Sequence, residues 1–111
     1  MTGRYEVRLD PVARSALREA ASYVKEQSGS GRAKGWLKRM LDGIVSLGST
    51  PGAFSVQCVR QGRAIRSKLI MSHRVFYFID EPSRTVYVVD VVHTARETRL
   101  EDYPDFHTPR L

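Results

Sequence analysis

The sequence predicts an α+β domain in which an N-terminal strand and an antiparallel helix hairpin precede a small, mainly antiparallel sheet, in the order β-α-α-β-β-β. Three observations predict it. An alternating strand runs into an Asp-Pro pair, two stretches of helical spacing are separated by four small residues, and three strand-like runs follow with short links between them. Helices segregated from a run of strands place the hairpin over one face of the sheet. With 111 residues the chain is one domain, residues 1–111, with an irregular tail expected from about residue 97.

In "YEVRLD" Tyr5, Val7 and Leu9 alternate with Glu6, Arg8 and Asp10, the period of a half-buried strand. Asp10 is a good N-cap and Pro11 suits the first helical position, where its missing N–H would be unpaired anyway. Val12, Ala16, Leu17, Ala20, Ala21 and Val24 follow at helical spacing to about Gln27. "SGSG", Ser28 to Gly31, has the composition of a tight turn. Ala33, Leu37, Met40, Ile44 and Leu47 then mark one face of a second helix, with Trp36 flanking the stripe. Gly35 and Gly43 each cost about 1 kcal/mol against Ala inside a helix, and close approach to the first helix is the expected reason. Gly48 and "STPG" end the helix.

Residues 52–62, "GAFSVQCVRQG", carry no readable period and are expected to be loop. The three strands are "RAIRSKLI" (63–70), "HRVFYFID" (73–80) and "TVYVVDVVHTA" (85–95). Met71-Ser72 is a link of hairpin length and "EPSR" a stronger turn, so the three are antiparallel neighbours.

The composition, 41% hydrophobic and 27% charged, is that of an ordinary soluble protein. Cys58 is the only cysteine, which excludes an internal disulfide framework and fits a reducing compartment. The N-terminus lacks the apolar region of a signal peptide, and no run is long enough to span a membrane, so a cytoplasmic location is expected. The net charge of +6 favours an acidic protein surface or a nucleic acid as partner.

Charge distribution is more informative than the total. Between Gly43 and Ile79 there is no Asp or Glu, while Arg60, Arg63, Arg66, Lys68 and Arg74 all fall there. Arg66 and Lys68 share a strand face, and the following turn brings Arg74 onto the neighbouring strand, where a cluster of cations is expected. It has two readings: a solvated sheet surface that resists aggregation, or a site for phosphate or carboxylate, which the arginine fork suits. His73, His93 and His107 match no metal spacing, and no metal or other cofactor is expected. His93 reads as a structural histidine closing an apolar strand. Asp90, inside "VYVVDVV", is either paired with an arginine or exposed. No phosphate loop, nucleophile elbow or carboxylate pair is present.

"LREAASYVKEQSGSGRAKGWLKRMLDGIVSLGSTPG" followed by "HRVFYFIDEPSRTVYVVDVVHTAR" resembles toxins of the RelE/ParE superfamily of bacterial type II toxin–antitoxin systems, over nearly the whole chain to about Arg96. The resemblance implies a helix hairpin on an antiparallel sheet and one of two activities. RelE-like members cut mRNA on the ribosome without a metal, and here Lys68 would be the base, Arg74 and Arg96 would stabilise charge, and Tyr103 would be the acid. Such chemistry needs proton transfer and stabilisation of a crowded phosphorus. The single strand lysine and the acidic "EDYPDF" around Tyr103 fit this poorly.

ParE-like members, which poison DNA gyrase in plasmid stabilisation modules and so arrest growth, need no catalytic set. The hairpin and the "VVDVVHTAR" ending look closer to that branch. It implies a non-enzymatic toxin whose Arg63, Arg66, Lys68, Arg74 and Arg96 form a recognition surface. A cognate antitoxin would fold on binding, against Trp36, Arg39, Arg66 and Arg74. Outside the family, a non-toxic nucleic-acid-binding module would use Phe76 and Phe78 as an exposed stacking platform beside Arg74.

Overall fold

A computed structural model describes residues 4–96. Its elements are β1 (Glu6–Leu9), α1 (Pro11–Ser28), α2 (Ser30–Val45), β2 (Val56–Arg60), β3 (Arg63–Ile70), β4 (His73–Asp80) and β5 (Thr85–His93), with 3-10 turns at Ser46–Gly48, Pro51–Ala53 and Thr94–Arg96. The order of helices and strands is the predicted α+β arrangement. The tail expected from residue 97, with Tyr103 and His107, lies outside the described residues.

One sheet of order β1-β5-β4-β3-β2 carries the hairpin. β1 lies parallel to β5, and the remaining pairs are antiparallel. β2 corrects the expectation of loop over 52–62. It is an edge strand whose Val56 and Val59 are both exposed, so no buried period marks it. The Gln61-Gly62 link, with both residues at positive φ, is a two-residue hairpin turn and was its legible signal.

Asp10 caps α1 as expected, its carboxylate accepting from Val12 N–H at 2.9 Å. The expected stripe holds from Ala16 to Val24, with Leu17 buried and Ala16, Ala20, Ala21 and Val24 half-buried, but at its start Ala13 is buried and Val12 is exposed. The break between the helices is a single residue, Gly29, at φ 91°. α2 buries Ala33, Met40 and Ile44, with Leu47 just beyond, as its spacing predicted.

The glycines act differently from expectation. A Cβ on Gly43 would stand 2.7 Å from Ile70 Cδ1, so the close approach is to the sheet rather than to α1, and around Gly35 there is open space. A Cβ on Gly48 would meet the Tyr5 carbonyl at 2.6 Å. Gly48 thus lets the start of β1 close over the end of the hairpin, where Tyr5 N–H donates to Gly48 O at 2.8 Å.

The helix-covered core joins Ala13, Leu17, Met40, Ile44 and Leu47 to Ile70, Val75, Tyr77, Val86, Val88 and Val91. A second cluster, Ile65, Phe76, Phe78 and Val89, lies on the other face of the sheet. A bulge makes β5 serve both faces. Asp90 stands opposite Phe76 and Val88 opposite Tyr77, so Val89 is an extra residue. It joins the second cluster and resets the period, returning Val91 to the helix side.

Candidate functional site

Strand register divides the predicted cations between two surfaces. Arg66 pairs with Tyr77 and Lys68 with Val75, on the helix-covered face, whereas Leu69 pairs with Arg74. Arg74 therefore points to the opposite, open face, and the expected single cluster of Arg66, Lys68 and Arg74 does not form. Arg66 and Lys68 do share a face.

On the helix side both cations are held by backbone oxygens. Lys68 Nζ donates to Gly43 O at 3.0 Å and to Ser46 Oγ at 2.7 Å, and it lies 5.3 Å from the centre of the Phe54 ring. The ammonium thus sits at the C-terminal end of α2, where unpaired carbonyls and the helix dipole favour a cation. Burial lowers its pKa from the ordinary lysine value. Arg66 donates to Phe54 O at 2.6 Å and reaches Gly52 O at 3.4 Å, which fixes the loop before β2. Beside it Tyr77 OH donates to Pro51 O at 2.6 Å, and burial pushes this phenol to about 12.

On the open face Arg63 and Arg74 lie at opposite ends. Arg63 stacks over Phe78 at 4.4 Å and pairs with Asp80 at 3.3 Å. Arg74 donates to Ser67 Oγ at 3.2 Å. Asp80 and Arg74 are six residues apart on β4, so the two guanidinium groups are separated by about 20 Å of strand. Arg60 is the cross-strand partner of Arg63 and adds charge at that end. Arg96 closes the last 3-10 turn, beyond β5.

Asp90 is neither exposed nor an ordinary acid. It is half-buried and accepts from Val91 N–H at 2.8 Å. Burial raises its pKa, against the lowering effect of that bond, and the nearby Asp10 charge raises it further. Asp80 shows the reverse. The Ser83 hydroxyl and N–H, with Arg63, hold its carboxyl below the usual value against the effect of desolvation.

His73 is buried and structural. Its ring meets Trp36 edge-on at 5.3 Å and the cross-strand His93 at 4.9 Å, and His93 Nδ1 accepts from Ala95 N–H. Trp36 is thereby half-buried against the core, while Arg39 on α2 is exposed. Phe76 and Phe78 are 1% and 0% exposed, so they are not an open stacking platform. Among the described residues no group of three or more His, Cys, Asp or Glu could hold a metal, and no helix is long and apolar enough to cross a membrane.

A two-helix hairpin on one face of a mixed five-stranded sheet defines a small α+β domain. The chain belongs to the family described as the ParE toxin of the type II toxin–antitoxin system parDE, whose model matches residues 7–98. No curated protein matches in sequence.

Solved structures share the fold. A chain of the chromosomal ParDE system of P. aeruginosa has a TM-score of 0.70 at 7% identity, covering 83% of this chain and 98% of that one. A chain of the RelBE2 toxin–antitoxin complex of Mycobacterium tuberculosis has a TM-score of 0.60 at 21% identity, covering 81% and 98%. A chain of the RelE–RelB complex of Pyrococcus horikoshii has a TM-score of 0.56 at 16% identity, covering 85% and 99%. The RelE/ParE superfamily placement expected from the sequence therefore holds.

Proposed function

We propose that this toxin inhibits DNA gyrase, acts in the cytoplasm without a catalytic step or cofactor, and is neutralised by a cognate antitoxin from a plasmid stabilisation module. The observation that carries the choice against mRNA cleavage is the placement of Lys68 and Arg74. A base and a charge-stabilising group must reach one phosphate, yet these two leave opposite faces of the sheet, and Lys68 is bound to the end of α2. Match to the ParE family supports the same branch.

On this reading Arg63, Arg74, Arg60 and Arg96 contact the target, while Arg66 and Lys68 keep the framework in place. The exposed Arg39, beside Trp36, offers the antitoxin a contact on α2. Basic residues would accelerate encounter with an acidic antitoxin and make it salt-sensitive.

Induced expression distinguishes the targets. Gyrase inhibition gives filamentation with DNA damage and loss of supercoiling by purified gyrase, relieved by co-expressed antitoxin. Prompt arrest of translation with cut mRNA, and unaffected gyrase, would overturn the proposal in favour of a ribosome-dependent nuclease.

A further inference from the structure

The cations that the sequence places on the sheet are engaged: Lys68 and Arg66 hold backbone oxygens, and Arg63 and Arg74 meet Asp80 and Ser67. Those of α2 are largely unspent. From Ser30 to Asp42 the helix carries Arg32, Lys34, Lys38 and Arg39 against a single acid, Asp42. All four cations are exposed, and among the described residues only Lys38 has a polar partner, Asp42 at 3.0 Å. Both members of that pair stand mostly in water, so it holds the ammonium weakly. At about 100° per residue Arg32 and Arg39 line one flank of the outward face, Lys34 and Lys38 line the other, and Gly35 lies between them. α1 differs, because its exposed Arg14, Arg18 and Lys25 are interspersed with Glu19 and Glu26.

We propose that this face of α2 docks on the phosphate backbone of duplex DNA without reading its sequence. What favours that partner over an acidic protein is the lack of apolar anchors. A protein interface needs them at its centre, and the large apolar residues that the hairpin exposes, Val12, Tyr23, Leu41 and Val45, all lie outside residues 30–40. Contacts to phosphate need charge and close approach instead. The four cations fall within about 10 Å of helix axis, a length over which the duplex carries about six charges.

Gly35 supports the close approach. A Cβ there would meet nothing within 4 Å among the described residues, so no packing inside the domain explains a residue that weakens the helix. At the centre of the cationic face it lets a phosphate backbone lie near the helix. Single-stranded nucleic acid fits less well, because its binding takes stacking aromatics, and Trp36 is half-buried against His73. The contact is separate from the toxin's target, and of its four cations only Arg39 is shared with the antitoxin contact proposed above.

Fluorescence anisotropy of a labelled duplex of about 20 base pairs, read on the full chain without antitoxin or gyrase, tests the contact. Three to four phosphate contacts predict that affinity falls roughly 100-fold between about 50 and about 200 mM salt, equally for unrelated sequences. Arg32→Gln/Lys34→Gln should weaken binding about tenfold at the lower salt and flatten the salt slope by about half, with circular dichroism unchanged. Arg14→Gln/Arg18→Gln removes the same charge from α1 and should change binding by less than about twofold. Gly35→Leu alters no charge and should weaken binding about tenfold by holding the duplex off the helix. A duplex left free at the lower salt would overturn the proposal. Equal losses from the α1 and α2 pairs would overturn it as well, since net charge alone would then set the affinity, and so would unchanged binding by Gly35→Leu. Displacement of the duplex by poly-glutamate at equal charge concentration would make an acidic protein the partner, and tighter binding of a single strand would make it an unpaired nucleic acid; either result sinks the assignment to duplex DNA.

Discussion

The two faces of one sheet use the same residue types for different ends. Under the helices, Lys68 and Arg66 point their charge at backbone carbonyls, and the apolar groups beside them pack against α1 and α2. On the open side Arg63 and Arg74 lie over side chains, an aromatic ring and a serine, at the ends of a strip whose described residues all belong to the sheet. A cation in a strand sequence is thus a framework group or a surface group according to its register, and β3 alternates between them. Charge count does not separate the two roles, because a one-residue step along a strand reverses the face.

The largest difference should appear on truncating apolar residues of each surface. Met40→Ala, at a fully buried position beneath the helices, is expected to lose about 2–5 kcal/mol. Leu69→Ala, 54% exposed on the open side, should change stability by less than about 0.5 kcal/mol. Urea denaturation with a common slope measures both, and a comparable loss at Leu69 would show that the open face is packed to its edge. Next in size, Lys68→Met keeps the stem and removes the ammonium from Gly43 O and Ser46 Oγ, at a cost of about 1–2 kcal/mol. Arg74→Met should cost less stability but, if the proposed target contact is right, weaken toxicity beyond that loss, whereas the residual toxicity of Lys68→Met should follow the amount of folded protein. Tyr77→Phe, which leaves Pro51 O without its donor, should cost about 1 kcal/mol and loosen the turn before β2.

The elements that were legible in the sequence are those with one strongly buried face. α2 shows its stripe because Ala33, Met40 and Ile44, with Leu47 just beyond, are buried at helical spacing, the last three in the core against the sheet. In α1 the small Ala13 is buried while the larger Val12 is exposed, so reading by side-chain size misplaces the first position of a stripe that otherwise holds. β2 shows no buried period because an edge strand need not bury either of its valines, which leaves the Gln61-Gly62 turn as its mark in the sequence. The cation cluster failed for a different reason: the partner of Arg74 depends on the Met71-Ser72 turn, and that turn places Arg74 beside Leu69 rather than Lys68. The Val89 bulge is likewise invisible in a run of valines, since either phase looks apolar. Family resemblance gave the architecture correctly, but it could not say which cations are spent on the framework.

The smallest expected effect compares two carboxylates on the open side, and its sign differs between them. Asp80 has a depressed folded pKa, from the Ser83 hydroxyl first and Arg63 among the lesser causes. Its contribution is therefore full above the unfolded value of about 3.9 and is lost as pH falls through the folded pKa. Asp90 has a raised folded pKa, from burial first. Its contribution is full below the unfolded value and is lost as pH rises through the folded one, so near neutrality its charge opposes folding. Asp80→Asn should thus destabilise at pH 7 and converge on the wild type in acid. Asp90→Asn retains an oxygen for Val91 N–H, and it should be neutral or stabilising at pH 7, with that advantage vanishing in acid. Urea midpoints from pH 3 to 7 read the two differences directly. Parallel curves for both variants would mean that the two acids see the same surroundings, and the division between a Ser83-bound rim and a desolvated centre would not survive.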